Sequence, residues 1–243
     1  MGGTLNLAAL DAEALHISAI QHWQADDLVG ACMLWRQAIA LNPDMAVYHA
    51  NLGVALKQTG VGQERIVCYQ RAIQLAPEEP DYHSNLAAAL NEAGRYEEGE
   101  AEARQALVLL PTRAESWFNL GSSLAGQNRW LDAAAAFDMA GQHYHGAWPD
   151  ALEAAGEAWR SAGDWSQAAN RFQNALQNMP VQPATARVRL LRAWSEALMR
   201  MHRYADAAVH LRDALSLDPD SAELLTDLGN ALKAQNCFAM CIN

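Results

Sequence analysis

The chain has 243 residues, 51% of them apolar, and its acidic residues outnumber the basic ones by 28 to 17, a formal charge of −11. Nucleic-acid binding draws most of its affinity from Lys and Arg set against phosphate, so this balance argues against a nucleic-acid partner. No stretch is long and apolar enough to span a bilayer, and much of the apolar fraction is alanine, which packs helices closely without building a large central core.

Residues 1–11 read as a lead. Met1-Gly2-Gly3-Thr4 has no basic n-region and no continuous apolar run, which argues against a secretory signal, and Asn6 stands where myristoylation wants Ser or Thr. From Ala12 onward a period takes over. Ala38, Ala72, Ala106 and Ala140 recur every 34 residues. Three residues before each stands Trp35, Tyr69, Ala103 or Phe137, and five residues after the first three come Pro43, Pro77 and Pro111. A second ladder runs through Asn51-Leu52-Gly53, Asn85-Leu86-Ala87 and Asn119-Leu120-Gly121, with Leu56, Leu90 and Leu124 four residues beyond each leucine. The columns continue with slips: Phe172, Ala175 and Pro180 after 35 residues, then Leu211, Ala214 and Pro219 after 39. The extra residues fall in 141–148 and 181–186, which read as bulged loops rather than domain boundaries.

Each unit reads as two helices. Gly53, Ala87, Gly121 and Gly156 sit where a first helix must let a neighbour approach, and Gly60, Gly94 and Gly163 fall at its end, where a left-handed cap is favoured. A second amphipathic helix follows until proline stops it. Units begin near Ala12, Ala46, Pro80, Ala114, Pro149 and Val188, fill residues 12–221, and leave an incomplete seventh unit over 222–243. About thirteen helices are therefore expected.

These columns resemble the tetratricopeptide repeat family, over roughly residues 12–243. The first unit departs with Ser18-Ala19 in place of Leu-Gly, the third with Gly99 and Ala103. The resemblance implies an all-α, right-handed superhelical solenoid of antiparallel helix pairs, with first helices lining a concave groove and second helices outside. It also implies a protein that binds other proteins and is not an enzyme.

Several residues are candidates for that binding. A carboxamide carries both a donor and an acceptor, so Asn51, Asn85 and Asn119 at one position of consecutive units can run along an extended peptide backbone. Here the chain resembles the groove of O-linked N-acetylglucosamine transferases, whose repeats present such asparagines to peptides. The column is broken at Ile17, Ala154, Ala193 and Asp227. Groove residues are expected to contribute little to packing between units, so all three asparagines should be replaceable without loss of fold. Arg160, Arg189 and Arg192 face the groove by family register, and arginine forks suit carboxylates. Glu196 lies four residues after Arg192, and Glu153 and Glu157 are near, so internal ion pairs are the competing reading. The carboxylate clamp of the family's co-chaperones is missing, since His16, Ile17, Ile20, Asp81 and Asn85 occupy its positions.

Chemistry is thin elsewhere. His143-Tyr144-His145 has poor metal spacing, and no P-loop, nucleophile elbow or zinc-protease motif occurs, so no catalytic residue, metal or cofactor is expected. Cys32, Cys68, Cys237 and Cys241 are scattered, which predicts reduced thiols and a cytoplasmic location. At the end, Ala222–Ala234 spells a seventh first helix with Asn236 at its cap position. Leu225, Leu228 and Leu232 should then leave an apolar face uncovered. Two readings stand beside each other for the whole: an adaptor that binds a protein segment in its groove, or the substrate-recruiting arm of a larger enzyme such as a glycosyltransferase, cut near residue 243. Self-association through the C-terminal half-unit is a third, weaker reading.

Overall fold

The computed structural model describes the backbone of residues 7–60, 62–146, 148–179 and 184–242. Among these described residues there are thirteen α-helices and no strand. They fall into two compact units, Met1–Gln127 and Asn128–Asn243. The first holds α1 (Leu7–Gln24), α2 (Leu28–Leu41), α3 (Ala46–Thr59), α4 (Gly62–Leu75), α5 (Pro80–Glu92), α6 (Tyr96–Leu109) and α7 (Ala114–Gly126). The second holds α8 (Trp130–His143), α9 (Pro149–Ser161), α10 (Trp165–Asn178), α11 (Ala184–Arg200), α12 (Tyr204–Leu217) and α13 (Ala222–Ile242). Within each unit, helices that follow one another in the chain pack on one another, as short connections between antiparallel neighbours require.

The alanine column is the seam of this packing. Ala38, Ala72 and Ala106 in the first unit, and Ala140, Ala175 and Ala214 in the second, are fully buried. A methyl side chain lets two helix backbones approach closely, and the aromatic three residues earlier fills the space beside it. Trp35, Tyr69, Phe137 and Phe172 are accordingly buried. Proline ends the second helices by its missing N–H: Pro43, Pro77, Pro111 and Pro219 each stand two residues beyond the last helical residue. Pro180 lies outside the described residues.

The turn inside each pair is fixed by one left-handed residue. Gly60, Gly94 and Gly163 have φ of 78°, 73° and 85°, as their column predicts. The same place is held by Asp26, Asn128 and His202 at φ 62°, 61° and 61°. Asp and Asn tolerate this region better than most residues, so the turn survives without glycine. The amide following the left-handed residue closes the helix end, as Arg95 N donates to Leu90 O at 2.9 Å and Asp164 N to Trp159 O at 3.0 Å.

Several boundaries differ from the sequence reading. Helix α11 begins at Ala184, four residues before the unit start set at Val188, because the residues after Pro183 are good helix formers with nothing to break them. Helix α8 runs through Gly141 to His143, which leaves only Tyr144 to Trp148 between it and α9. Helix α13 continues past Asn236 to Ile242, since asparagine alone, without Gly or Pro behind it, is only a mild breaker. Of the three leucines expected to be uncovered, Leu228 and Leu232 pack against the core of the second unit, and only Leu225, 53% exposed, is left uncovered. The side chains of 238–242 lie outside what is described.

The small-residue column has a measurable geometry. A Cβ on Gly53 would stand 2.8 Å from the Tyr69 ring, and one on Gly156 would stand 2.6 Å from Phe172, closer than side chains tolerate. Gly229, in the same column of α13, has nothing within 4 Å of that position. Gly156→Ala should therefore destabilise the chain by about 1–3 kcal/mol through overpacking, whereas Gly229→Ala should stabilise it by about 0.5–1 kcal/mol through helix propensity alone. Urea denaturation followed by circular dichroism measures both; equal effects of one sign would refute the distinction.

Candidate functional site

The first helices carry the candidate residues. Asn51 on α3, Asn85 on α5 and Asn119 on α7 follow one another at the repeat spacing, and all three are half-buried. Their partners differ. Asn119 Nδ2 donates to Ser84 O at 2.9 Å and to Ser84 Oγ at 3.1 Å. The backbone carbonyl of Asn119 accepts from Asn91 Nδ2 at 2.9 Å and from Ser123 Oγ at 2.9 Å, and Ser123 Oγ also donates to Asn91 Oδ1 at 2.7 Å. Asn119 is thus a bracket between α7 and α5, which corrects the expectation that every groove asparagine is dispensable for packing. Small Ser84 is what lets the amide reach the α5 backbone. Asn51 and Asn85 make no side-chain hydrogen bond among the described residues. Beside Asn51 lies a cavity of about 210 Å³ lined by Ile20, Trp23, Trp35 and Val54.

Position four of these helices does another job that sequence reading passed over. His49 Nε2 donates to Pro43 O at 2.8 Å, His83 Nε2 to Pro77 O at 2.9 Å, and Trp117 Nε1 to Pro111 O at 2.8 Å. The signal was a ring N–H six residues after each proline. His83 Nδ1 also meets Glu102 Oε2 at 2.7 Å, so both its nitrogens are engaged. Buried His16 accepts from Trp35 Nε1 at 3.0 Å and lies 4.8 Å from the Tyr48 ring, while Tyr48 donates to Glu13 at 2.9 Å. These contacts tie helices together.

In the second unit, Arg160, Arg189 and Arg192 border a cleft of about 740 Å³. All three are bound to carboxylates of neighbouring first helices. Arg189 on α11 holds Glu153 on α9 in a fork, at 2.6 and 2.9 Å. Arg160 on α9 reaches Glu196 on α11 at 2.8 Å and Glu157 at 2.5 Å. Arg192 meets Asp227 on α13 at 2.8 Å and also Glu223. Glu196 therefore serves Arg160 and not Arg192, four residues before it. The carboxylates raise the pKa of all three arginines: the Glu153 hydrogen bond leads for Arg189 and the Asp227 hydrogen bond for Arg192. At Arg160 burial works against the charge, and Glu157 with Glu196 outweighs it. Arg200 lies over the Trp165 ring at 5.1 Å.

Reactive groups are muted. Burial pushes the Cys68 thiol up to about 12 and raises Cys32, so neither is a thiolate near neutrality. Burial also lowers His210, which stacks on Trp194 at 3.8 Å. Among the described residues no group of three His, Cys, Asp or Glu could hold a metal, and no helix is long and apolar enough to cross a membrane.

Paired helices, left-handed caps and buried alanines together define a helical-repeat protein. The sequence profile of the tetratricopeptide repeat matches residues 68–114, 92–151 and 192–236, more than half of the chain, and the chain belongs to that family. Solved structures share the fold. PilF of Pseudomonas aeruginosa is 19% identical with a TM-score of 0.72, over 92% of this chain and 99% of that one. PilW, a type IV pilus biogenesis factor, is 18% identical with a TM-score of 0.74, over 89% of this chain and 98% of that one. MamA is 15% identical with a TM-score of 0.64, over 71% of this chain and 98% of that one. No curated protein matches the sequence.

The unequal asparagines yield a stability test. Asn119→Ala should cost about 1–2 kcal/mol, because it removes the side-chain bonds to Ser84 O and Oγ, while the Asn91 and Ser123 bonds to the Asn119 backbone carbonyl remain. Asn51→Ala and Asn85→Ala should each stay within about 0.5 kcal/mol of the parent. Urea midpoints decide; three equal losses would mean that the free amides are structural too.

Proposed function

We propose that this chain is a protein–protein interaction scaffold that holds an extended peptide or protein segment along the first helices of residues 1–127. The observation that carries the reading is the pair of unpartnered carboxamides, Asn51 and Asn85, one repeat apart on consecutive first helices. A half-buried amide that the fold leaves unused offers one donor and one acceptor at each site, the complement of an extended backbone. Asn119 belongs to this surface by position, but its N–H is spent on Ser84. The arginine side of the second unit is a poorer anion site than its charge suggests, because a ligand carboxylate must displace Glu153, Glu196 or Asp227 from Arg189, Arg160 or Arg192. Buried unpaired cysteines suit a reducing, cytoplasmic setting. The likeness to glycosyltransferase grooves rests on the same asparagines and supports peptide capture, not a reaction.

Binding tests the reading directly. Peptides selected from a random twelve-residue display library on the full chain should bind, and the Asn51→Ala, Asn85→Ala double variant should weaken them by roughly tenfold to a hundredfold. That loss is about 1–3 kcal/mol of backbone hydrogen bonds. The loss should be similar for peptides of unrelated sequence; unchanged affinity by isothermal titration would remove the asparagines from the site.

A second reading, self-association through α13, is favoured by exposed Leu225 and the open space at Gly229. Light scattering across a concentration range should then find a dimer that Leu225→Asp abolishes. A monomer at every concentration ends that reading.

A further inference from the structure

We infer that the cavity beside Asn51 is a side-chain pocket, and that the segment held there carries a branched aliphatic or aromatic residue with an acidic residue close to it in sequence. The inference rests on the peptide-scaffold reading and adds a sequence preference to it. The cavity of about 210 Å³ lies between α1 and α3, and apart from the Asn51 amide its walls are Ile20, Trp23, Trp35 and Val54. Trp35 is part of the buried core and closes the floor, while its N–H is already given to His16. Trp23, at the opposite rim, is 39% exposed although it stands among apolar neighbours. Ile17, three residues before Ile20 on α1, is exposed as well.

Two indoles and two branched aliphatics around a space of this size favour a Leu- or Phe-sized group, because desolvating a charged or amide side chain there would leave it unpaired. Asn51 at the rim fixes what the group is attached to. An amide that faces an apolar hollow and has no partner of its own can pair with the backbone of the residue whose side chain enters.

Charge complementarity supplies the second half. Every arginine of residues 1–127 is in an ion pair: Arg36 with Glu64, Arg65 with Glu92, Arg71 with Asp44, Arg95 with Glu98, Arg104 with Glu100 and Arg113 with Asp81. Lys57, exposed on α3, is the one fixed cation of that unit without an ion pair among the described residues. It stands one turn beyond Val54, which itself stands one turn beyond Asn51. The nearby Glu92 already carries Arg65 at 2.7 Å. Three residues of helix rise about 4.5 Å and an extended peptide about 3.3 Å per residue, so an acid within roughly three positions of the anchor reaches Lys57.

The test uses the strongest peptide from the display selection described above, titrated into the full chain. The selected peptides are expected to share an apolar residue with Asp or Glu within about three positions. Changing that apolar residue to Ala in the peptide should cost roughly tenfold to a hundredfold in affinity, the worth of one buried side chain. Val54→Trp, which fills the cavity, and Trp23→Ala, which removes its rim, should each cost a similar factor. The peptide change needs no refolding of the protein, so it decides the matter even where Val54→Trp disturbs α3. Lys57→Gln should weaken binding only a few-fold, should lose its effect in high salt, and should have none on a peptide whose acid is already an amide. Peptides that depend on Asn51 and Asn85 yet ignore Val54→Trp, Trp23→Ala and the anchor substitution would overturn the pocket and leave the scaffold reading standing. Peptides that ignore the asparagines as well, or a selection that yields none, would overturn both.

Discussion

The close approach of helices across alanine is the constraint on which the rest depends. With Ala38, Ala72, Ala106, Ala140, Ala175 and Ala214 fully buried, neighbouring backbones are held near enough that the side chain three residues earlier, Trp35, Tyr69, Phe137 or Phe172 in four of the six pairs, fills the remaining space. Such a seam is local. Within each unit a helix packs on its chain neighbours, so the packing is spread along the unit rather than gathered at one centre. Polar chemistry is thereby displaced onto the helix faces that the seam leaves open.

Those faces are used in two different ways. Along α9, α11 and α13, charge is spent internally: each of three arginines is paired with a carboxylate from the adjacent first helix. Exposed ion pairs contribute little stability one at a time, about 0–1 kcal/mol, but a connected set fixes the register of the helices that bear it. Along α3 and α5 the amides of Asn51 and Asn85 are left unspent, and α1 adds exposed apolar surface at Ile17 and Trp23. A group that the fold has satisfied must be released before it can bind anything. A group that the fold has left unsatisfied meets a ligand at no such cost.

How much of this the sequence could show follows from the range of each interaction. The helix pairs, their stop at proline and the glycine caps were legible because each depends on residues within one repeat. The caps at Asp26, Asn128 and His202 were less so, since non-glycine residues enter the left-handed region only when the turn around them demands it. The start of α11 and the continuation of α13 were misjudged because a family register places unit boundaries by column, while a helix extends wherever nothing stops it. In the site, position was legible and partnership was not. Asn51, Asn85 and Asn119 occupy one column, yet only Asn119 meets Ser84, because what decides is the side chain facing it from the preceding first helix. Helix spacing alone sets Glu196 beside Arg192, whereas Arg160 claims that carboxylate from the neighbouring helix.

That last difference bears on how repeat surfaces acquire specificity. Within a repeat, the same column recurs with the same geometry, so identical residues in successive units would bind a ligand in any register. What breaks the degeneracy is the residue one unit away. Ser84 disables Asn119, and the apolar residues of α1 give Asn51 a hollow that the other two asparagines are not shown to have. Asn85 contributes an amide with no pocket of its own described beside it. A segment lying along these helices would therefore find one position that reads a side chain, one that reads only backbone, and one already closed. That unevenness is enough to fix where a ligand sits, even though the scaffold beneath it is periodic.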